Sequence, residues 1–488
     1  MKIRLSLLCF AKVVTLIGCV SAPPVDVPQL AVGIPERWSS QTTREEHSVS
    51  PDWWNDFGDP TLSSVVEMAL DRNFDLQVAA ARLQMAAANA RASAGALQPS
   101  LNLSYSGSRR KQNFVGFPIP GAEGRVLSTV FTNQGVSLDT TWEIDLWRRL
   151  RVDAQATLAE LQSAGADLRG AQLSLAGQTT KAWLAIAEAQ QQVLLSETTV
   201  ESFRESSEQV QERYESGIRP ALDLRLASLN LSNAQALLDQ RRQQLDASKR
   251  QLDVLLGRYA SGAMDAAIEL PPVPPAVPSG LPADLIARRP DLVAAERQVA
   301  AAEARQSVAG GLSIWLPNIS LTAGTGTATD ALKTLLSGDF TIWSLVGNVV
   351  APLWEGGALR ARIAMAEANT AEMLANYANT ALTAYAEVET ALAADEFFAD
   401  RVGHLETSVE QARAAERLAE ERYFTGLDNY IPVLDSQRSA VQAEGDLIAA
   451  RRLRLENRVD LYLALGGGFE QLDASVTVGE TPTNVTGP

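Results

Sequence analysis

The feature that most constrains the fold of this 488-residue chain is an internal duplication. Residues 213–217 are matched by residues 422–426, an offset of 209 positions, and similar patterns precede and follow each copy. Each half has the pattern of a helix, a strand hairpin, a long helix and a return helix. We therefore assign two repeats, residues 61–257 and 283–466, joined by a Pro-rich linker over residues 258–282.

Within each repeat the apolar period changes from about 3.6 residues to 2, which indicates a change from helix to strand. Helical spacing covers residues 62–97 and 283–311. The alternating positions that follow are Leu101, Leu103, Tyr105, Val136, Leu138, Thr140, Trp142 and Ile144, then Pro317, Ile319, Leu321 and Ala323. A further strand is predicted from about residue 342 to 353. Four strands of roughly ten residues result, long enough to cross a hydrocarbon core when tilted, although a hairpin on a soluble sheet alternates in the same way.

Long helices make up most of the remaining chain. They are predicted over residues 148–214 and 358–423, each followed by a return helix that ends near Gly257 or Gly466. Steps of three and four residues give the first long helix a coiled-coil seam of Leu161, Ala164, Leu168, Ala171, Leu175, Ala182, Ala185 and Ala189. Some 65 residues at about 1.5 Å each make a rod on the order of 100 Å long. A helix of this length indicates either a wall of a helical tube or a periplasmic spacer.

Four strands are too few to close a barrel by themselves. In lipid, an open sheet edge would leave backbone donors and acceptors unpaired at several kcal/mol each. If these strands lie in a membrane, the chain must therefore associate with other copies. Closure alone is compatible with a dimer or a trimer.

The N-terminus has the pattern of an export signal. Lys2 and Arg4 precede a mostly apolar stretch that ends with Gly18 and Cys19, and the only other cysteine is Cys9. Residues 1–18 resemble a bacterial lipoprotein signal, which implies acylation of Cys19; Lys12 interrupts the apolar stretch, and an ordinary signal peptide is the alternative. Residues 19–60, with three tryptophans, are predicted to form an extended arm that packs on the body.

Charge and composition argue against nucleic-acid binding and catalysis. The formal charge is −16 and becomes −19 when residues 1–18 with their three basic side chains are removed, so no nucleic-acid partner is expected. The two histidines, His47 and His404, are far apart in sequence, and no nucleotide, metalloprotease or serine-hydrolase motif is present. We predict neither an enzyme nor a metal or cofactor site. Residues 467–488 are polar and are expected to be disordered.

Four segments resemble the TolC-like outer-membrane efflux proteins, in particular the NodT-type lipoproteins of resistance-nodulation-division pumps. These segments are residues 53–62, 288–296, 316–322 and 351–360, and each lies at the matching junction of the repeat. The resemblance implies a mainly α fold with a β-barrel portion. Long coiled-coil helices would form a periplasmic α-barrel, and four strands per chain would contribute to a twelve-stranded trimeric outer-membrane β-barrel.

The resemblance also implies partners, location and function. The chain would be an outer-membrane homotrimer, anchored by diacylglyceryl and N-acyl groups such as palmitate on Cys19. It would act with a periplasmic membrane-fusion adaptor and an inner-membrane resistance-nodulation-division transporter as a passive duct for drugs or toxic small molecules. A conduit for type I protein secretion and a pore-less lipoprotein scaffold in the periplasm are the alternatives.

By matched position, the resemblance assigns the periplasmic tip to residues 214–223 and 423–435, which contain the two glycine turns. The assigned residues are Gly217, Arg219, Asp223, Gly426, Asp428 and Asp435. Asp435 falls at an acidic constriction of the family, whereas Asp223 matches Pro432 in the other repeat. For Asp223 and Asp428, capping of a helix N-terminus is an equal alternative. A salt bridge between Arg219 and Asp428 is predicted to lock the closed state.

Overall fold

The computed structural model describes residues 50–114, 126–266, 268–275, 277, 285–310 and 316–467, with eight isolated positions of the arm between residues 21 and 39. The predicted signal at residues 1–18, Cys19 and almost all of the predicted tail lie outside the described residues. In the described part, no helix is both long and apolar enough to span a bilayer.

The described elements follow the same order in both halves of the chain. After a short 3-10 helix, Trp53–Phe57, the first half contains α1 (Pro60–Arg72), α2 (Phe74–Gly95), β1 (Ser100–Phe114), β2 (Leu127–Glu143), α3 (Arg149–Glu215) and α4 (Ala221–Leu255). The second contains α5 (Leu285–Arg288), α6 (Pro290–Gly310), β3 (Asn318–Thr329), β4 (Thr341–Val350), α7 (Ala358–Phe424) and α8 (Ile431–Ala464). Two single-turn 3-10 helices, Leu332–Thr334 and Gly338–Phe340, join β3 to β4.

The helix predicted over residues 62–97 is in fact two helices, divided at Asn73. The extended backbone of Asn73 ends α1, and its side-chain oxygen accepts from the N–H groups of Asp75 and Leu76 to cap α2. Its amide nitrogen donates to the carbonyl of Leu255 at the end of α4. The division thus joins α2 end to end with α4 in one helical column.

The second repeat is divided in the same way at Arg289, where the sequence predicted one helix over residues 283–311. Pro290 begins α6, a position at which proline replaces an amide that has no helical partner. Arg289 donates to the carbonyl of Ala464, the last residue of α8. The chain therefore forms four columns, which are α3, α7 and the two composite columns α4 with α2 and α8 with α6.

The four strands form one antiparallel sheet in the order β1-β2-β3-β4. Leu103 pairs with Leu138, Leu138 with Thr325, and Thr325 with Trp343. One face is apolar and carries Leu101, Leu103, Tyr105, Val136, Leu138, Trp142, Ile319, Leu321, Trp343, Leu345 and Val349. The other face is mostly polar on β1 and β2, with Ser100, Asn102, Ser104, Ser106, Ser137 and Asp139, whereas on β4 it carries Ile342, Val346 and Val350 beside Ser344 and Asn348. The first two strands have 15 and 17 residues, longer than predicted, because their pairing continues to Phe114 and Leu127.

The long helix α3 is the central column of the chain. It packs against α1, α2, α4, α6 and α8, whereas α7 packs against α6 and α8. Of the eight predicted seam residues only Leu175 and Ala189 are buried, and the other six are half-buried. The fully covered stripe is instead Leu173, Ala176, Thr180, Trp183 and Ala187. The predicted seam is therefore only part of the surface that α3 buries, because α3 has neighbours on several sides.

The predicted arm packs on the body near the junctions of the columns. Trp38, Trp53 and Trp54 are buried, and the Trp53 ring stacks on Tyr462 of α8 at 5.0 Å between centroids. The indole of Trp183 donates to Asp59 at 2.8 Å. These contacts attach the start of the described chain to both long-helix hairpins.

Candidate functional site

Two equivalent turns end the helical hairpins at the end of the columns away from the sheet. Gly217 follows α3 with φ of +71°, and Gly426 follows α7 with φ of +80°. In each turn the next amide donates back to the helix, from Ile218 to Arg213 at 2.9 Å and from Leu427 to Arg422 at 2.8 Å. This is a Schellman ending, in which the left-handed conformation favours glycine. The sequence therefore predicted both turns correctly.

Asp223 lies in the first turn of α4, where it makes no capping bond to the helix. Its side chain is buried at 6% exposure and accepts a hydrogen bond from the Tyr423 hydroxyl at 3.3 Å. Tyr423 is fully buried, and burial together with the nearby Asp223 carboxylate raises the pKa of its hydroxyl to about 12. The hydroxyl thus remains a donor at all physiological pH values.

Arg219 contacts the backbone of the second turn instead of the carboxylate predicted for it. Its guanidinium donates to the carbonyls of Tyr423 and Asp428 and lies over the Tyr423 ring, 4.2 Å from the centroid. The Asp428 carboxylate is bound by Arg422, whose Nε lies 2.6 Å from it. The predicted salt bridge between Arg219 and Asp428 is therefore wrong, because Arg422 of the same turn occupies that carboxylate.

A second arginine beside the Gly217 turn, Arg213, also binds the other hairpin. Arg213 donates to the carbonyl of Phe424 at 3.1 Å and lies over the Phe424 ring, 4.8 Å from its centroid. Tyr423 and Phe424 are in the last turn of α7, where carbonyls lack helical partners and carry the negative end of the helix dipole. The first turn thus supplies two cations that cap the C-terminus of α7.

A small apolar cluster lies beneath these polar contacts. It consists of Val210, Ala227, Tyr423, Tyr430, Val433 and Leu434, all buried. The hydroxyls of Tyr430 and Ser206 are 3.0 Å apart and buried. Because α3, α4, α7 and α8 all contribute, this cluster holds the tips of the two hairpins together within one chain.

Asp435 lies one turn inside α8 and differs from the other acids of the tip. Its side chain is exposed, and among the described residues its carboxylate has no hydrogen-bond or ion-pair partner. Its backbone carbonyl accepts from the Ser439 hydroxyl. An exposed carboxylate near a turn is free to act on solvent ions or on a neighbouring copy of the chain.

Sequence reasoning included Tyr423 in the tip without giving it a role, and it missed Arg422 and Arg213. A signal was present, because Arg213 and Arg422, like Tyr214 and Tyr423, occupy equivalent positions of the repeat. The equivalent tyrosines have different surroundings, since Tyr214 is 41% exposed and Tyr423 is buried. The pairing between turns depends on which hairpin faces the other, and the local pattern does not contain that information.

Comparison with known proteins agrees with this architecture. The family model for outer membrane efflux proteins matches residues 65–258 and 281–467. The pyoverdine export outer membrane protein OpmQ of Pseudomonas putida is 30% identical over 461 residues, covering 93% of this chain and 96% of its own length. The toluene efflux pump outer membrane protein TtgF of Pseudomonas putida is 29% identical, covering 86% of each chain.

A solved structure of the outer-membrane channel OprN is also similar. It superposes with a TM-score of 0.81 at 27% identity, covering 92% of this chain and 99% of the channel. The chain belongs to the outer membrane efflux protein family. It is an efflux channel component of the outer membrane that extends into the periplasm. The mainly helical fold with a four-stranded portion, predicted from the sequence, is confirmed.

Proposed function

We propose that three copies of this chain form a passive duct, the outer-membrane part of a tripartite pump. The observation that carries the proposal is the sheet, which has two outer edges, β1 and β4, and an exposed apolar face. Leu101 and Leu103 on that face are 64% and 76% exposed. An apolar face next to open edges requires lipid and further strands, and twelve strands from three copies would satisfy both needs.

The polar face of the sheet supports an aqueous lumen. Serines and Asp139 lie on that face and have small or polar partners across the strands, such as Asn102 opposite Asp139. The serine and carboxylate side chains of such a wall would hydrogen-bond to water. The duct acts without a catalytic step, and Cys19 carries the diacylglyceryl and N-acyl anchor.

The turns at the far end of the columns are the gate in this proposal. The Tyr423 hydroxyl and the Arg213 and Arg219 guanidiniums link the two hairpins of each chain. Breaking those links would let the hairpins move apart. Three copies of Asp435 would line the narrowest point, where like charges repel one another and attract cations.

The partners are a periplasmic membrane-fusion adaptor and an inner-membrane resistance-nodulation-division transporter. Drugs or other toxic small molecules are the cargo class that we favour over secreted proteins. Two relatives of nearly equal identity are named for export of pyoverdine and of toluene, which differ greatly in polarity. This supports a duct that does not choose its cargo, with selection made by the transporter.

Single-channel recording tests the proposal directly. The purified protein, extracted in detergent, is added to a planar bilayer, and its oligomeric mass is measured by light scattering. Discrete conductance steps from a species of three chains are expected. A monomer that never conducts, in the presence of correctly folded helices, would overturn the duct.

A parallel labelling experiment tests the anchor. Cells grown with radioactive palmitate should label the wild-type protein and should not label Cys19→Ser. Equal labelling of the two proteins, or none of either, would contradict acylation at Cys19.

A further inference from the structure

A buried ion pair on α6 binds the backbone that immediately follows the proposed lipid anchor. Glu296 and Arg297 are only 5% and 3% exposed, and the carboxylate and guanidinium pair with each other. Arg297 also donates to the carbonyl of Pro23 at 3.0 Å and to that of Pro24 at 3.2 Å. A fourth acceptor, the side-chain oxygen of Gln162 on α3, lies 3.2 Å from the same guanidinium.

The chemistry of this contact suits a docking site for an extended chain. A guanidinium has five donors in a planar fork, so it can satisfy Glu296 and two successive carbonyls at once. Proline has no N–H group and a fixed φ, so Pro23 and Pro24 present carbonyls from a backbone that loses little freedom on docking. Removing a partner from a buried ion pair is strongly destabilising, because the remaining charge is left buried without compensation.

The position of the contact limits how far the anchor can be from the body. Pro23 is four residues after Cys19. Four extended residues span at most about 14 Å. Arg297 is 13 residues before Gly310, the end of α6 nearest the strands, which is roughly 20 Å of helix. The fully extended peptide tether would thus end about 6 Å below the level at which α6 ends, so the diacylglyceryl group would have to bridge the rest of the distance to a bilayer at the level of the sheet.

Without this contact the tether would be much longer. Among the described positions of the arm, Pro28 is half-buried like Pro23, and the first fully buried residue is Trp38, 19 residues after Cys19. The effective concentration of a tethered body at its membrane falls as about the −3/2 power of tether length. A change from four to 19 residues would lower it roughly tenfold.

We propose that Glu296 and Arg297 form an anchor clamp, a docking site for Pro23 and Pro24 that keeps the lipid tether short. The inference rests on the acylation of Cys19 proposed above. The clamp holds the strands of each newly exported chain against the inner leaflet, which speeds their assembly into the closed channel. Once the channel has formed, its conductance does not depend on the clamp.

The decisive experiment measures the rate at which trimers form after a pulse of radioactive label, by crosslinking at successive times. Arg297→Lys retains a charge for Glu296 and lacks the planar fork, so trimer formation should slow by up to about tenfold. Arg305→Lys is the matched control, since Arg305 lies on the same helix and its ion pairs within the described residues are to Glu160 and Asp153 of α3. Its assembly rate should stay at the wild-type value.

A second variant avoids any change in the folded body. Ten Gly/Ser residues inserted after Ser21 leave the clamp residues intact and lengthen the tether above them from four to 14 residues. Trimer formation should slow by roughly sixfold, and the conductance of the finished channels should be unchanged. Assembly of the insertion variant at the wild-type rate would overturn the clamp.

Palmitate labelling of each variant separates the two proposals. If the wild-type protein is labelled and all the variants form trimers at the wild-type rate, the clamp proposal is wrong and the acylation proposal is retained. If the wild-type protein is not labelled, the acylation proposal fails and the clamp fails with it.

Discussion

The hydroxyl of Tyr423 and the carboxylate of Asp223 meet at 3.3 Å, although the two residues are 200 positions apart and belong to different helical hairpins. Both side chains are buried, so water cannot replace either partner. A buried acceptor that loses its donor costs about 1–3 kcal/mol, more than most surface contacts. This bond is therefore a substantial link between the two halves of the proposed gate.

Tyr423→Phe should open the tip more often by removing that donor while keeping the ring in the apolar cluster. A loss of about 1.4 kcal/mol corresponds to a tenfold larger open population, measured as resting conductance in a planar bilayer. Tyr214→Phe is the control, because Tyr214 occupies the equivalent position of the first repeat and is partly exposed. Equal conductance in all three proteins would contradict the role of the bond.

The same tyrosine should make the tip sensitive to alkaline pH. Burial and the Asp223 carboxylate raise the pKa of Tyr423 from 10.0 to about 12. The unfolded chain therefore loses this proton first as pH rises, and the stability that the bound proton provides is complete below pH 10 and lost towards pH 12. Chemical unfolding at a series of pH values should show that the free energy of unfolding of the wild-type protein declines between about pH 10 and pH 12. The decline should be smaller in Tyr423→Phe. An identical decline in both proteins would assign it to other tyrosines.

Arg219→Ala should also raise resting conductance. Its guanidinium donates to two carbonyls of the opposite turn and lies over the Tyr423 ring, and bonds of this charge-assisted type contribute about 1.5–3 kcal/mol. Arg422→Ala removes an ion pair within one turn and leaves the links between turns in place. Arg422→Ala should therefore change conductance far less than Arg219→Ala. A larger effect of Arg422→Ala would show that the structure of the Gly426 turn, and not the contact between the two turns, limits opening.

Local patterns predicted the parts of the fold that local chemistry decides. Alternation at Leu101 and Leu103 predicted the strand, and glycine at 217 and 426 predicted the turns, because each depends on neighbours in sequence. The break at Asn73 was missed, since the helical spacing continues through it. Asn73 ends α1 where its side chain can bond to Leu255, a partner 182 residues away.

The site shows the same limit. The family resemblance assigned Asp223 to the tip, but its partner was not predicted, because Tyr423 comes from the other hairpin. The wrong partner for Arg219 has a similar origin. Arg422 and Arg219 are equally basic, and only the path of the chain determines which of them reaches the Asp428 carboxylate.

The end-to-end contact of the helical columns leads to a stability prediction at Gly257. A Cβ there would lie 2.4 Å from the carbonyl oxygen of Arg72, and Gly257 has φ of +64°. Gly257→Ala should lower the free energy of unfolding by about 2–5 kcal/mol, the sum of a left-handed backbone and a steric clash. Gly217→Ala is the control, because it has a similar φ and nothing within 4 Å, and about 1–2 kcal/mol is expected. If urea titrations show that both variants lose the same free energy of unfolding, the clash with Arg72 does not contribute to the loss at Gly257.

Asp435 differs from the other acids of the tip because its carboxylate is exposed and has no partner among the described residues. Its charge can therefore act on ions that pass through the tip. Three such carboxylates around a narrow opening would attract cations and repel anions, and divalent ions would bind best where the carboxylates are closest. Asp435→Asn should reduce the preference for potassium over chloride, read from the reversal potential in a salt gradient, and should weaken block by divalent cations. Asp428→Asn is the control, since that carboxylate is already neutralised by Arg422. Unchanged selectivity in Asp435→Asn would place the narrowest point of the duct elsewhere in the tip.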